Sequence, residues 1–151
     1  MTTADTADDR ETVHGTAVAI AGAGILIRGA SGTGKSDLAL RLIDRGAMLI
    51  SDDRVEIVRS GADVLLGPPP RLAGKLEIRS LGICDCAYQS GVALRLIIDL
   101  KRQPERFPLD RQIMILLGIA VPSCTLDAME SSAPIKAEWA LQRIMQGAGS
   151  Q

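Results

Sequence analysis

The apolar positions of this chain fall into short runs with two different periods. Residues 16–20 and 25–28 are nearly continuous apolar runs separated by Ala21-Gly22-Ala23-Gly24, which predicts a hairpin of two buried strands. After residue 36 the period lengthens. Asp37, Arg41, Asp44 and Arg45 share one face and the leucines and isoleucine the other, so an amphipathic helix is expected over 37–45, stopped by Gly46. Residues 47–50 form another short apolar run. Residues 55–59 alternate and 64–67 return after a turn at 60–63, a second hairpin. Pro68-Pro69-Pro70 is a loop, because proline brings no donor to a sheet ladder. Residues 76–83 read as one amphipathic strand with Glu77 and Arg79 on one face. Residues 92–100 read as a long buried strand, 101–110 as a polar loop, and 113–117 and 119–126 as two further strands around Gly118 and Pro122. Ser131-Ser132 offers an N-cap to a closing helix over 133–145, with Pro134 tolerated in its first turn. Ile135, Trp139, Ile144 and Met145 are set for its buried side, Trp139 as a packing anchor.

Strands interleaved with helices predict an α/β domain with a mixed β-sheet. At 151 residues and 46% hydrophobic, the chain has core enough for one compact domain. It is expected over 13–146, between a disordered lead-in over 1–12, rich in Thr and Asp, and a frayed C-terminus over 147–151. The net charge is −1 with no basic run, and aromatic residues are 2%, so nucleic acid is not an expected partner. No run reaches the ~18 apolar residues of a membrane span, and the polar N-terminus is not a signal peptide. Cys84, Cys86 and Cys124 are odd in number and lack an export signal, which suggests reduced thiols in a cytoplasm. Cys84-Asp85-Cys86 reads as alternate small residues on a buried strand, because a structural zinc needs four ligands and only His14 remains to help.

The candidate chemistry begins at Gly29-Ala30-Ser31-Gly32-Thr33-Gly34-Lys35-Ser36, a full match to the phosphate-loop pattern G-x-x-x-x-G-K-[ST]. By accident the four fixed positions arise in about one chain in a hundred of this length. The strand before the loop and the helix after it make accident rarer still. Free backbone N–H groups at the helix start favour an anion there. The glycines let the backbone curl around phosphate, Lys35 would meet the β- and γ-phosphates, and the Ser36 hydroxyl would ligate Mg²⁺. ATP and Mg²⁺ are therefore the expected cofactors. Unusually, the loop follows a hairpin rather than a parallel strand. A second candidate site is Ser51-Asp52-Asp53-Arg54, two adjacent carboxylates at a strand end, where α/β sheets bind ligands.

With these pieces assembled, the chain resembles the catalytic domain of bacterial HPr kinase/phosphorylase. The likeness is carried by His14-Gly15, by the phosphate loop, by Ser51-Asp52-Asp53-Arg54-Val55, and by Leu76-Glu77-Ile78-Arg79 with Leu81-Gly82-Ile83, close to the family signature LEIRGLGI. It covers residues 13–85 well. It implies a P-loop domain resembling the phosphoenolpyruvate carboxykinase-like nucleotide fold, and a serine kinase acting on HPr, the phosphocarrier of the bacterial phosphotransferase system. The resemblance places Lys35 and Ser36 at the phosphate and Mg²⁺ positions, and Asp53 as the group that takes the substrate serine's proton. His14 matches a catalytic-site histidine and Glu77 a metal-linked carboxylate. Arg106, in Glu105-Arg106-Phe107, is a looser match to a catalytic arginine.

Three departures shape the expectation. The chain resembles short versions of the family that consist of the catalytic domain alone. Ser80 stands where the signature has Gly, at a cost of about 1 kcal/mol if that position needs φ > 0. Val121-Pro122-Ser123-Cys124 does not match the Arg- and Gly-containing segment of the dephosphorylation reaction, so phosphorylase activity is not expected. A homo-oligomer is left open. Beside the kinase stands an alternative from another class, a catalytically weak ATP-sensing regulatory module of the same fold. A small-molecule kinase is a weaker reading, because no lid insertion is evident.

Overall fold

A computed structural model describes residues 9–105 and 112–149. Strand β1 (Arg10–His14) lies antiparallel on β5 (Arg54–Ser60), with Arg10 opposite Val58 and His14 opposite Arg54. Residues 10–12, expected to be disordered, are therefore an edge strand. Their polar side chains hid it, because ladder pairing uses the backbone and an exposed edge needs no apolar run. Residues 1–8 lie outside the described residues.

The predicted hairpin forms from β2 (Thr16–Ile20) and β3 (Ala23–Arg28), and its turn is only Ala21-Gly22. Their φ values, 49° and 82°, are the positive pair that a tight two-residue hairpin turn demands. β4 (Met48–Ser51) pairs antiparallel with the other edge of β2, so β3 and β4 point the same way. β9 (Val92–Leu100) runs parallel to β3, and β11 (Ile119–Leu126) runs parallel to the end of β9. β4, β3, β9 and β11 thus present their C-terminal ends at one edge of a mixed sheet. β10 (Gln112–Leu116) forms a hairpin with β11. β6 (Asp63–Gly67) forms the other predicted hairpin with β5 and meets β9 only at its start, Leu66 opposite Val92 and Leu65 opposite Ala93.

Both faces of this sheet are covered. On one lie α1 (Lys35–Asp44) and α2 (Ala133–Gly149), packing Leu38, Leu42, Ala137 and Leu141 on Val18, Ile25, Ile27 and Ile98. On the other, Ala17, Leu26 and Ile97 meet Val55, Ile57 and Leu66 from β5 and β6. Strands buried on both faces read as continuous apolar runs, which is why β3 and β9 were visible in the sequence.

Two elements differ from expectation. Residues 76–83 are not one strand but the reversal between β7 (Lys75–Ile78) and β8 (Gly82–Asp85), a separate two-stranded hairpin. Ser80 sits at φ 76° and Gly82 at φ 93°, so the chain turns after Ile78, and Glu77 and Arg79 share no strand face. Cys84 and Cys86 are consequently half-buried on and just after this hairpin, not on a buried strand. In α2, Ala133, Ala137 and Leu141 face the sheet while Ile135, Trp139 and Met145 are exposed, Trp139 by 69%. The largest side chains are not the ones that set the buried face. The helix instead turns small ones inward, and alanine lets it approach the sheet closely. It also continues to Gly149, beyond the expected end, so 147–149 are helical; 150–151 lie outside the described residues. Among the described residues no helix is long and apolar enough to cross a membrane.

Leu141→Ala should lower unfolding free energy by about 3 kcal/mol through its cavity, whereas Trp139→Ala should change it by no more than about 0.5 kcal/mol. Urea unfolding distinguishes the two. In the same assay Ser80→Gly should gain about 1 kcal/mol by releasing left-handed strain; no gain would mean that Ser80 is not strained.

Candidate active site

β3 ends at Arg28 and α1 begins at Lys35, so the phosphate loop is suspended between a strand end and a helix start. The helix begins two residues before the expected position, which puts Lys35 and Ser36 in its first turn, where backbone N–H groups have no intrahelical partner. Gly34 caps the helix at φ 96°, and a Cβ there would lie 3.1 Å from the Ala128 Cβ. Glycine is needed both for the backbone angle and for that close approach. Thr33 closes the loop on itself, its hydroxyl donating to the Ala30 carbonyl at 2.6 Å. Lys35 is buried, 9% exposed as a residue, and its ammonium donates to the carbonyls of Gly29 at 2.8 Å and Ala30 at 3.1 Å. Below the loop, Arg28 and Asp99 pair at 2.9 Å and tie the ends of β3 and β9.

The two adjacent aspartates have opposite environments. Asp52 is 5% exposed. Its Oδ1 accepts from the Ser36 hydroxyl at 2.7 Å and the Thr16 hydroxyl at 2.9 Å, and its Oδ2 from the Glu77 N–H at 2.9 Å. Asp53 adopts φ 73°, a left-handed turn that sends its side chain outward, 65% exposed. Its Oδ1 lies 3.3 Å from His14 Nε2. The Asp53 carbonyl accepts from the Gly15 N–H at 3.0 Å, which seats the β1–β2 junction against it. A Cβ at Gly15 would come within 2.8 Å of the Ile27 carbonyl oxygen, so His14 can take this place only with glycine behind it.

On the other flank of the loop lie the segments that follow β9 and β11. Asp127, 7% exposed, accepts from the Met129 N–H at 2.9 Å and the Gln103 N–H at 3.3 Å, with Arg102 Nε at 3.6 Å. The Met129 N–H, followed by the Gln103 N–H and Arg102, holds its carboxyl below the usual range despite burial. Arg41 of α1 donates to the carbonyls of Ala128 and Glu130.

The fold thus brings His14 to Asp53, and Ser36 and Lys35 into the loop. Glu77 reaches the cluster through its backbone, its side chain remaining exposed. Arg106 lies outside the described residues. The aspartate pair is expected from the sequence, but only Asp53 has an expected role. Asp52, which binds the loop, could have been found from the apolar run Met48-Leu49-Ile50 shortly before it, since an acid carried inward there requires donors. Thr16 carried no comparable signal, and Asp127 looked like an ordinary strand end.

Residues 5–144 match the family described as HPr Serine kinase C-terminal domain. The chain is 40% identical to proteins named HPr kinase/phosphorylase from Burkholderia lata and from Burkholderia cenocepacia, in each case over 78% of this chain. It spans 40% of the length of those relatives. Among solved structures it is similar to the Hpr(Ser) kinase/phosphatase from Coxiella burnetii, with a TM-score of 0.79 and 29% identity over 93% of this chain and 99% of that one.

Asp52→Ala should cost about 3 kcal/mol of stability, because it strands the buried Thr16 hydroxyl and the Glu77 N–H. Asp53→Asn keeps a residue that tolerates the left-handed backbone and should change stability by less than about 0.5 kcal/mol. Thermal and urea unfolding of both variants check this.

Proposed function

The chain belongs to the HPr serine kinase C-terminal domain family, and on that premise we propose that it is an ATP-dependent protein-serine kinase whose acceptor is a serine of an HPr-like phosphocarrier. The carrying observation is the division between the aspartates. Asp52 is spent on the phosphate loop through Ser36, which leaves Asp53 exposed beside that loop with His14 against it. A hydrolase needs only to orient water, whereas an exposed carboxylate at the mouth of the loop suits a hydroxyl carried in on another protein. The names of the relatives support the acceptor's identity.

The N–H groups of the loop and the Lys35 ammonium hold the phosphates of ATP and the charge that spreads over the transferring group. Asp53 accepts the proton of the acceptor serine. The serine oxygen bonds to the γ-phosphorus as the bond to the β–γ bridging oxygen breaks, releasing ADP. His14, 3.3 Å from Asp53, orients that carboxylate. Mg²⁺ fits the donor set, because the Ser36 hydroxyl and the carboxylate of Glu77, whose N–H bonds Asp52, offer hard oxygens. Bound there, it supplies positive charge to the phosphate oxygens. Arg106 is proposed to add a further positive charge, on the family likeness of Glu105-Arg106-Phe107. Asp53, His14, Lys35 and Ser36 all come from one chain, so the reading needs no second copy. A cytoplasmic location suits the free thiols of Cys84, Cys86 and Cys124.

Incubation with labelled ATP, Mg²⁺ and the organism's HPr should label the carrier, and changing its target serine to Ala should remove the label. Asp53→Asn should abolish transfer while ATP affinity stays within about threefold. ATP binding without transfer to any carrier would favour the regulatory module instead.

A further inference from the structure

The acceptor groups and the rest of the site lie on opposite sides of the phosphate loop. Asp53 follows β4, and His14 ends β1 beside it. β4 stands on one side of β3, and β9 and β11 on the other. In-line phosphoryl transfer sets the attacking oxygen and the leaving oxygen on opposite sides of phosphorus. With the acceptor on the β4 side, the leaving ADP extends toward β9 and β11. The wall it meets there is the turn 127–130.

That turn is held in place from three directions. Asp127 accepts from the Met129 N–H within the turn and from the Gln103 N–H of the segment after β9. Arg41 on α1 grips the Ala128 and Glu130 carbonyls. The turn presses on the last glycine of the loop: a Cβ at Gly34 would stand 3.1 Å from the Ala128 Cβ and 3.8 Å from the Met129 Cε. Met129 itself is 57% exposed, on a backbone pinned at both ends. A thioether on three rotatable bonds adapts to a flat aromatic face and attracts it. A polar side chain here would need hydrogen-bond partners once a base covered it, and Met129 needs none.

We propose that the base of the bound nucleoside triphosphate lies against Met129, and that Asp127 is the positioning residue that holds this wall against the loop. The inference rests on the reading of the loop as an ATP site and assigns the part of that site that touches no phosphate.

Calorimetric titration of the full chain with Mg²⁺–ATP and with Mg²⁺–tripolyphosphate, which has the phosphates and no base, tests it. The wild type should bind ATP more tightly than tripolyphosphate. Met129→Ala should weaken ATP about fivefold and leave tripolyphosphate within about twofold, and Met129→Leu should restore most of the loss. Asp127→Asn should weaken ATP in the same selective way, while Lys35→Ala should weaken both ligands. Equal wild-type affinity for the two ligands, or a Met129→Ala effect that is absent or the same for both, overturns the proposal and leaves the phosphate site standing. A wild type that binds neither ligand overturns both readings.

Discussion

One buried carboxylate fixes the site. Asp52 has left water, and a charge in that position is tolerable only when donors surround it. The three it finds come from separate parts of the chain: Ser36 in the first turn of α1, Thr16 at the start of β2, and the Glu77 backbone in β7. Hydrogen bonds to an ionised acceptor are worth about 1.5–3 kcal/mol each. The same group therefore neutralises its own desolvation cost and seats the phosphate loop, the hairpin before it and the small β7–β8 hairpin on the end of β4. With Asp52 committed to these donors, the neighbouring Asp53 stays exposed beside His14.

The sheet gives this cluster its polarity. Four strands end at one edge, and each end carries a different group: the aspartates after β4, the loop after β3, Lys101 and its neighbours after β9, and the braced turn after β11. Strand interiors are apolar on both faces and hold position, while the ends are polar and carry the candidate site. A hairpin in front of the phosphate loop is compatible with this arrangement because β2 is simply reversed between two strands that run together.

Local signals made much of this legible. The loop needed only its own residues and flanks, and β3 and β9 showed themselves through uninterrupted apolar runs. The aspartate pair was visible as a place, and the resemblance named His14 and Asp53 separately, but their 3.3 Å approach came only with the fold, since one ends β1 and the other lies in the turn after β4. What stayed hidden depended on tertiary contact. The hairpin at 76–83 turns on Ser80, where the signature's glycine pointed to a positive φ but the apolar pattern still read as one strand. β1 has the composition of a polar tail and becomes a strand only because β5 offers it a free edge. α2 hides small residues and shows its tryptophan, a choice made by the distance to the sheet rather than by hydrophobicity. Asp52 and Asp53 are identical in sequence terms, and a single backbone angle separates their fates.

The parallel pairing of β3 with β9 also sets an order of events in folding. Gly24 lies opposite Leu94, so the strand that launches the phosphate loop finds this neighbour about seventy residues downstream. Closing so long a segment is slow compared with forming a hairpin. During synthesis the motif is complete once Ser36 has emerged, yet its platform must wait for β9, and the turn that presses on Gly34 must wait for β11. A nascent chain therefore carries the complete phosphate-loop sequence long before the scaffold around that loop exists, and the scaffold closes only when its last strand arrives.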